Sequence, residues 1–379
     1  MRARGIGQLG LGSITEQHRQ GYARFGLPVV AGYDPASAAQ ARFRADRPSA
    51  RVHASMEALL EDPAVGVVDV AVPHHRAIRL AVVRAVAEAG RPMLIQKPLA
   101  ESYEQAVELA EIVRGNGVSA MVNQNMCFNP AAITLTDAVL RGNAVGAPSV
   151  AVMQVQYQFD TDGHPWFGRD SRWWTSALTV HHLGLLHLLF GPPETVYALI
   201  GHDSEQPGVV SDGYGHLSLT YPGGMQALVL STGTYIGVEP RIHGREHLWI
   251  QGADGLLDWN ADGSTTLSRR AGAGSAVVRT TIPTTVPGEW FPDAFGLTML
   301  HLQQALDAGR TPLCSVDDNL YVVAAIEAAY RSGEANRVVP LEEVMGRRYD
   351  PGYGPGWRHG FDEWVPPALD AERSDDDVA

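Results

Sequence analysis

The stretch Gly5-Ile6-Gly7-Gln8-Leu9-Gly10-Leu11-Gly12-Ser13-Ile14-Thr15 reads as a short buried strand that runs directly into a glycine turn and then a helix. Gly10 and Gly12 take the first two places of a GxGxxG-like pattern, and Thr15 takes the third, where a small residue lets helix and strand approach. A glycine turn alone is weak evidence for a bound dinucleotide, so the residues beyond it matter. Residues 28–33 form the next strand, which ends in Asp34 about 20 residues past the glycines. A carboxylate there can accept from both ribose hydroxyls and repels a 2′-phosphate, which points to NAD rather than NADP. The competing reading is that Asp34 opens the Asp34-Pro35 turn.

The alternation continues outward from this stretch. Residues 16–25, 35–45, 56–60 and 78–89 have helical character, and Ser102 caps a further helix that ends at Arg114. Between them lie the apolar runs 65–72, 93–96 and 118–122, rich in Val, Ile and Leu as strands buried on both faces are. This order implies an α/β fold with a doubly wound parallel sheet, whose ligand crevice opens at the carboxyl ends of the strands. Gly10, Asp34, Pro73, Lys97 and Asn123 all fall at such ends. Within Met93-Leu94-Ile95-Gln96-Lys97-Pro98-Leu99-Ala100, one lysine is held in front of a proline at the predicted crevice.

Composition narrows the partners. The chain has 379 residues, above the usual size of one core, so more than one domain is expected. Its hydrophobic fraction of 45% and charged fraction of 19% are those of a soluble globular protein. A net charge of −13 with no long basic run argues against nucleic acid or an anionic membrane as partner. Cys127 and Cys314 make no disulfide framework and no CxxC pair, which fits a reducing cytoplasm. The basic start Met1-Arg2-Ala3-Arg4 precedes a segment too short and polar for a signal-peptide core, and no apolar run approaches the ~20 residues of a membrane span.

The texture changes after Asn129-Pro130. Residues 131–140 read as one more helix, and 150–159, 196–200, 215–221, 227–234, 247–252 and 277–282 as short strands parted by Gly, Pro and Asp turns. Strands in succession without helices between them predict an open, mostly antiparallel sheet. The apolar helix 179–190, stopped by Gly191-Pro192-Pro193, and the late helices 295–308 and 317–331 complete an α+β domain. The expected division is a nucleotide-binding domain over 1–124, a substrate and oligomerisation domain over 125–346, and an extension over 347–379 with an acidic, disordered tail from Asp370.

Taken together, the glycine turn followed by His18, Pro73, the tripeptide Gln96-Lys97-Pro98, Pro130, the histidine-bearing helix ending in Gly191-Pro192 and the closing Arg337-Val338-Val339-Pro340-Leu341 resemble the Gfo/Idh/MocA family. The resemblance implies a Rossmann domain joined to an open sheet, NAD(P)-dependent oxidation or reduction of sugars and cyclitols, and homo-oligomers, dimers or tetramers, formed through the sheet. It places the family's catalytic histidine on His181. It also exposes departures: the aspartate four positions earlier falls on Ala177, the tripeptide glutamate is Gln96, and an arginine often found before Pro130 is Cys127. Of the usual Lys-Asp-His set, only Lys97 and His181 are present.

Hydride removal from a carbinol carbon requires the hydroxyl proton to leave, so the site needs a base within hydrogen-bond reach and a cation beside the developing alkoxide. Lys97 suits the cation and His181 the base, with His182 the second choice because neighbours on a helix face different ways. The cofactor contacts are expected from Gly10, Gly12, Ser13, Ile14, Asp34, Pro73, His75, Gln96, Lys97 and Asn125. The aromatic and basic loop 157–174 supplies a carbohydrate pocket, with Tyr157, His164, Trp166, Arg172 and Trp173 joining Lys97, His181 and His182 at the substrate. Tryptophans beside a sheet also serve as core or interface, and that reading stays open. His243-Gly244-Arg245-Glu246-His247 matches HxxEH, but Gly244 and the following Leu248-Trp249-Ile250 read as a turn entering a strand, not the helix a zinc site needs, so no metal is expected.

The leading expectation is an NAD-dependent oxidoreductase acting on a sugar, sugar derivative or cyclitol. The altered acid-base set leaves open a glycosidase that keeps NAD bound, oxidises a ring hydroxyl transiently, eliminates the aglycone and reduces the ring again. A non-catalytic sensor of the same fold is the third possibility, which the retention of Lys97 and His181 argues against.

Overall fold

The structure is a computed structural model that describes residues 3–158, 172–202, 210, 212–235, 237, 245–272, 276–346, 361 and 364. Its first half runs β1 (Ile6–Leu9), α1 (Ser13–Arg24), β2 (Val29–Tyr33), α2 (Ser37–Asp46), β3 (Arg51–Val52), α3 (Met56–Leu60), β4 (Val67–Val70), α4 (Arg76–Glu88), β5 (Met93–Gln96), α5 (Tyr103–Gly115) and β6 (Ala120–Asn123). The strands pair in parallel in the order β3-β2-β1-β4-β5-β6. β1, β4 and β6 are buried along their whole length, as strands sandwiched between two helix layers must be. The strand order reverses between β1 and β4, so the loops leaving their carboxyl ends splay apart and open the crevice there.

Three buried strand positions of this sheet break the apolar rule, Gln8 in β1, Asp69 in β4 and Asn123 in β6. Asp69 in β4 is fully buried, and its Oδ2 meets His18 Nδ1 at 2.9 Å, Gln8 Nε2 at 2.9 Å and the Tyr22 hydroxyl at 3.0 Å. The other His18 nitrogen lies 3.3 Å from Asn123 Nδ2, which also donates to Gln96 Oε1 at 2.9 Å. A polar thread therefore runs beneath the strand ends from β4 through α1 to β6 and β5. It ends one residue short of Lys97.

The second half continues with a 3-10 turn (Asn125–Phe128), α6 (Pro130–Thr136) prolonged by a π-helical turn (Asp137–Arg141), β7 (Pro148–Gln156), and a π-helical turn (Trp174–Thr179) running into α7 (Val180–Phe190). Strands β8 (Thr195–Gly201), β9 (Tyr214–Thr220), β10 (Gln226–Thr232), β11 (Arg245–Gly252), β12 (Leu256–Asn260), β13 (Thr265–Arg270) and β14 (Val277–Thr281) follow. The chain then forms α8 (Asp293–Asp307), α9 (Val316–Ala335), β15 (Val339–Pro340) and α10 (Leu341–Met345). The nine-stranded sheet has the order β14-β13-β12-β11-β7-β10-β9-β8-β15 and is antiparallel except where β7 and β10 pair in parallel. The sequence reading had no β12 or β13. Leu257 and Trp259 do alternate with outward polar residues in β12, but the strand is too short to stand out from the turns around it.

One face of this sheet is filled by Ala151, Met153, Val155, Val229, Leu248, Ile250 and Trp259, whose indole N–H donates to the Ala131 carbonyl of α6. The opposite face leaves Leu199, Leu228 and Leu230 exposed. The late helices return to the first sheet. Gly21 of α1 and Gly296 of α8 allow the two backbones to touch, and a Cβ on Gly21 would lie 2.4 Å from the Pro292 carbonyl. The Val122 N–H of β6 donates to the Cys314 carbonyl at 2.8 Å, and Arg114 of α5 pairs with Asp317 of α9. Of the extension, Phe361 and Trp364 are buried: Trp364 donates to Gln304 Oε1 at 3.0 Å, and Arg141 stacks over Phe361 at 4.5 Å.

Burial works against the Asp69 charge, yet the His18 ring and the bonds from Gln8 and Tyr22 hold the carboxyl below its ordinary range. A lowered carboxylate contributes stability that is present above its unfolded-state value and is lost as pH falls through the folded one. Asp69→Ala removes an acceptor shared by three buried donors and should cost about 3–5 kcal/mol in denaturant unfolding. The wild-type advantage over the variant should shrink as the medium is acidified, and a loss below about 1 kcal/mol would show the thread to be structurally idle.

Candidate functional site

The nucleotide cradle is made by backbone. Gly10 has φ +90°, and a Cβ there would sit 2.5 Å from the Ala71 carbonyl, so the loops after β1 and β4 can meet only at a glycine. Gly12 is the N-cap of α1 with no side-chain bond, and the space where its Cβ would stand is open. Ser13 and Ile14 open the helix at its positive end, where a pyrophosphate fits. Asp34 stands at the end of β2 with one oxygen accepting from the Leu11 N–H and the other from the Ala36 N–H, both at 2.8 Å. These two bonds fix the carboxylate over the glycine turn while leaving each oxygen a lone pair for a ribose hydroxyl. The cradle therefore fits NAD on its own geometry.

The next strand ends bring in the lysine. Arg79, buried on α4, donates to the Gln96 carbonyl at 2.7 Å, the Pro98 carbonyl at 3.1 Å and the Val72 carbonyl at 2.7 Å. One guanidinium thus ties the loop after β4, which carries the exposed Pro73, to the loop that carries Lys97. Burial brings the Arg79 value down to about 9. His75 caps α4 and bonds Glu101 at 2.8 Å, at the rim of the same crevice. Asn125 lies in the 3-10 turn, 2% exposed, and its side-chain oxygen has no partner among the described residues.

Lys97 Nζ donates to the backbone carbonyl of Ala177 at 2.8 Å. Ala177 belongs to the π-helical turn that leads into α7, and His181 follows one helical turn later. The family resemblance puts a carboxylate at position 177; here a neutral carbonyl takes the lysine. Burial lowers the Lys97 value to about 8, and among the described residues no carboxylate contact pulls it back up. Lys97 is also the only lysine of the chain, every other strongly basic residue being arginine. Arginine holds its proton far more strongly than lysine, and a buried lysine can release its own near neutral pH.

All three histidines of α7, His181, His182 and His187, are buried. His181 stands edge-on to Trp290 with ring centres 5.7 Å apart. His182 is held neutral: burial lowers it to about 3, and the Lys97 charge opposes its protonation further. His182, the second choice on sequence, is thus the ring that feels Lys97. Tyr157 at the end of β7 packs on Trp174 at 5.9 Å, and burial, with the Glu246 charge, raises its hydroxyl.

Two expected substrate contacts are corrected. The Arg172 guanidinium is committed to α9, pairing with Glu327 at 2.7 Å and Glu334 at 3.3 Å and stacking on Tyr330 at 4.6 Å, so it is no free fork for an anion. Trp173 is 3% exposed and packs edge-on to Trp174, which makes it core. His164 and Trp166 lie outside the described residues. Glu246 and His247 occupy β11, a strand, and so point to opposite faces of the sheet; His247 bonds Asp258 at 3.0 Å.

The sequence reading missed Arg79, Asp212, Glu246 and Trp290. Arg79 had a signal, since it shares the helical spacing of Val83 and Val86 on the apolar face of α4. Asp212 and Trp290 sit in loops whose reach no periodicity reveals. Glu246 was hidden inside the rejected HxxEH pattern, and burial pushes its carboxyl up to about 8.

The cradle and the lysine beneath it define a nucleotide-dependent oxidoreductase with a Rossmann domain and an open sheet domain. Residues 4–124 match the oxidoreductase family's NAD-binding Rossmann fold and residues 175–341 its C-terminal alpha/beta domain, so the chain belongs to the Gfo/Idh/MocA family. It is 26% identical over 303 residues to a D-apiose dehydrogenase of Paraburkholderia graminis, covering 78% of each chain. It is also 26% identical to the scyllo-inositol 2-dehydrogenase (NADP(+)) of Bacillus subtilis, over 78% of this chain and 85% of that one. A levoglucosan dehydrogenase solved with NADH and L-sorbose shares the fold with a TM-score of 0.79 at 18% identity, over 90% of this chain and 99% of that one.

A chain with one lysine permits a direct measurement. Amine labelling with acetic anhydride, followed at the Lys97 peptide, should titrate at about 8. The burial penalty on the ammonium acts fully below that pH and is relieved as pH rises toward the ordinary lysine range. A midpoint in that ordinary range would mean that Lys97 is solvated and not buried against α7.

Proposed function

We propose that the chain is an NAD-dependent dehydrogenase of a sugar, sugar derivative or cyclitol hydroxyl, with Lys97 and His181 carrying the proton chemistry. The observation that carries this reading is the sole lysine, half-buried at the mouth of the nucleotide crevice and bonded to the turn that leads into the helix bearing His181. The resemblance to dehydrogenases of D-apiose and scyllo-inositol supports a polyhydroxylated substrate.

NAD+, when bound in the cradle, supplies the hydride acceptor. The substrate hydroxyl lies against Lys97, which orients it and stabilises the developing alkoxide as the carbinol C–H bond breaks. The hydroxyl proton passes to the imidazole of His181 and on to water, leaving a carbonyl. Tyr157, half-buried and backed by the core residue Trp174, offers an aromatic face for the C–H face of a sugar ring, and Trp290 closes the His181 side. The Asp34 carboxylate favours NAD over NADP by repelling a 2′-phosphate. The exposed Leu199, Leu228 and Leu230 on the outer sheet face support a homo-oligomer formed through that face. Two free thiols, Cys127 and Cys314, fit a reducing cytoplasm.

With NAD+ and a panel of free aldoses, ketoses and inositols, one NADH should form per substrate oxidised, with a lower kcat/KM for NADP+. Lys97→Ala should lower kcat by about 10²–10⁴-fold. Unchanged turnover in that variant would remove the lysine assignment, and release of an aglycone from glycosides with no net NADH would move the reading to redox-recycling glycoside cleavage. For the assembly, light scattering should give a multimer mass that Leu228→Asp with Leu230→Asp reduces. A monomeric wild-type protein would sink the interface.

A further inference from the structure

Asp212 lies just ahead of β9, remote in sequence from every residue of the crevice, and its side chain is buried. One carboxylate oxygen accepts from the backbone N–H groups of Trp173 at 2.7 Å and Trp174 at 3.1 Å. The other accepts from the Thr175 N–H at 2.8 Å and the Tyr330 hydroxyl at 3.1 Å. Those three amides are consecutive, and they open the helical run that carries Ala177, His181 and His182. A carboxylate against the N-terminal amides of a helix satisfies donors that otherwise have no partner.

The turn it holds is confined on its other sides. The Trp174 indole N–H donates to Ser231 Oγ at 2.9 Å, and Thr179 Oγ1 meets the same oxygen at 3.0 Å, so Ser231 of β10 grips the turn at both ends. A Cβ on Gly215 would come within 2.7 Å of Thr175 Oγ1, and one on Gly233 within 2.6 Å of the Trp174 ring. Gly215 in β9 and Gly233 just beyond β10 are glycine because the turn presses on the sheet there. Tyr330 is backed by the Arg172 guanidinium and its pairs on α9. The irregular π-helical turn is thus set by Asp212, Ser231 and two close backbone approaches. Its Ala177 carbonyl faces Lys97.

Building on the dehydrogenase reading, we infer that Asp212 is the positioning residue of Lys97: by holding the Trp173, Trp174 and Thr175 amides it fixes the Ala177 carbonyl that orients the lysine ammonium. The carboxylate that the family resemblance puts at position 177 is replaced by a more distant one acting through the main chain. Lys97 keeps a defined direction, and among the described residues it gains no anionic partner.

Asp212→Asn keeps the size of the side chain, removes its charge and turns a donor toward the Thr175 and Tyr330 side. With folding verified by circular dichroism and NAD+ binding by fluorescence, the labelling midpoint of Lys97 should rise from about 8 toward the ordinary lysine range, and above that midpoint, where the amine is unprotonated in both proteins, labelling should be about tenfold faster than in the wild type because the freed amine is more mobile and more accessible. On a confirmed substrate kcat should fall on the order of 10- to 100-fold with the KM for NAD+ unchanged. Adding Ala177→Asp to Asp212→Asn should slow the labelling again and move the alkaline limb of the kcat profile upward, because a carboxylate favours the charged amine. Tyr330→Phe, which removes one of the four donors, should give a smaller increase in labelling and serves if Asp212→Asn does not fold. Wild-type labelling rates in a folded Asp212→Asn protein, or in Tyr330→Phe where that variant must decide, overturn the inference. The labelling needs no turnover, so a wild-type protein that oxidises no sugar would sink the activity reading while leaving this one to stand or fall on its own measurement.

Discussion

The bond from Lys97 to the Ala177 carbonyl joins the two halves of the molecule at the place where chemistry is proposed. On one side, the lysine loop is held by Arg79 and, through Gln96, by the buried thread that starts at Asp69. On the other, the π-helical turn is held by Asp212 and Ser231. Each anchor lies one layer behind the crevice. The site is a meeting of two preorganised backbones, and the side chains at its surface are few.

This arrangement differs electrically from a lysine paired with a carboxylate. An ion pair would favour the ammonium, whereas a carbonyl offers direction with only a partial charge. Burial then decides the outcome and leaves Lys97 able to change its protonation near neutral pH. The same burial, together with the lysine charge, keeps His182 neutral. A neutral ring, His182, and a titratable cation, Lys97, thus act on each other at the start of the helix that bears His181.

Much of this was legible from the residues, and the limits have physical causes. The parallel sheet announced itself because each strand is apolar on both faces, and the strand-end positions of Gly10, Asp34 and Lys97 follow from topology alone. The departure at Ala177 was visible too, but not its consequence, because the replacement acceptor is a main-chain atom that every residue type carries. Arg172 and Trp173 were misjudged for the opposite reason. Their side chains suit carbohydrate binding, yet Glu327, Glu334 and Tyr330, more than 150 residues away in the chain, claim the guanidinium, and the indole is absorbed by the core. Long-range partners of this kind leave no periodic mark in the sequence.

The solitary lysine has a consequence for the rest of the surface. A protein that handles reducing sugars is exposed to open-chain aldehydes, which condense with unprotonated amines. Outside position 97 this chain presents guanidinium groups wherever another protein would present lysines, and these keep their protons throughout the working range. The one side-chain amine that could react is held against the turn ahead of α7 and occupied by a carbonyl. Side-chain imine chemistry with a sugar is thus confined to a single guarded atom, and the other basic side chains are chemically quiet toward the molecules the site is proposed to admit.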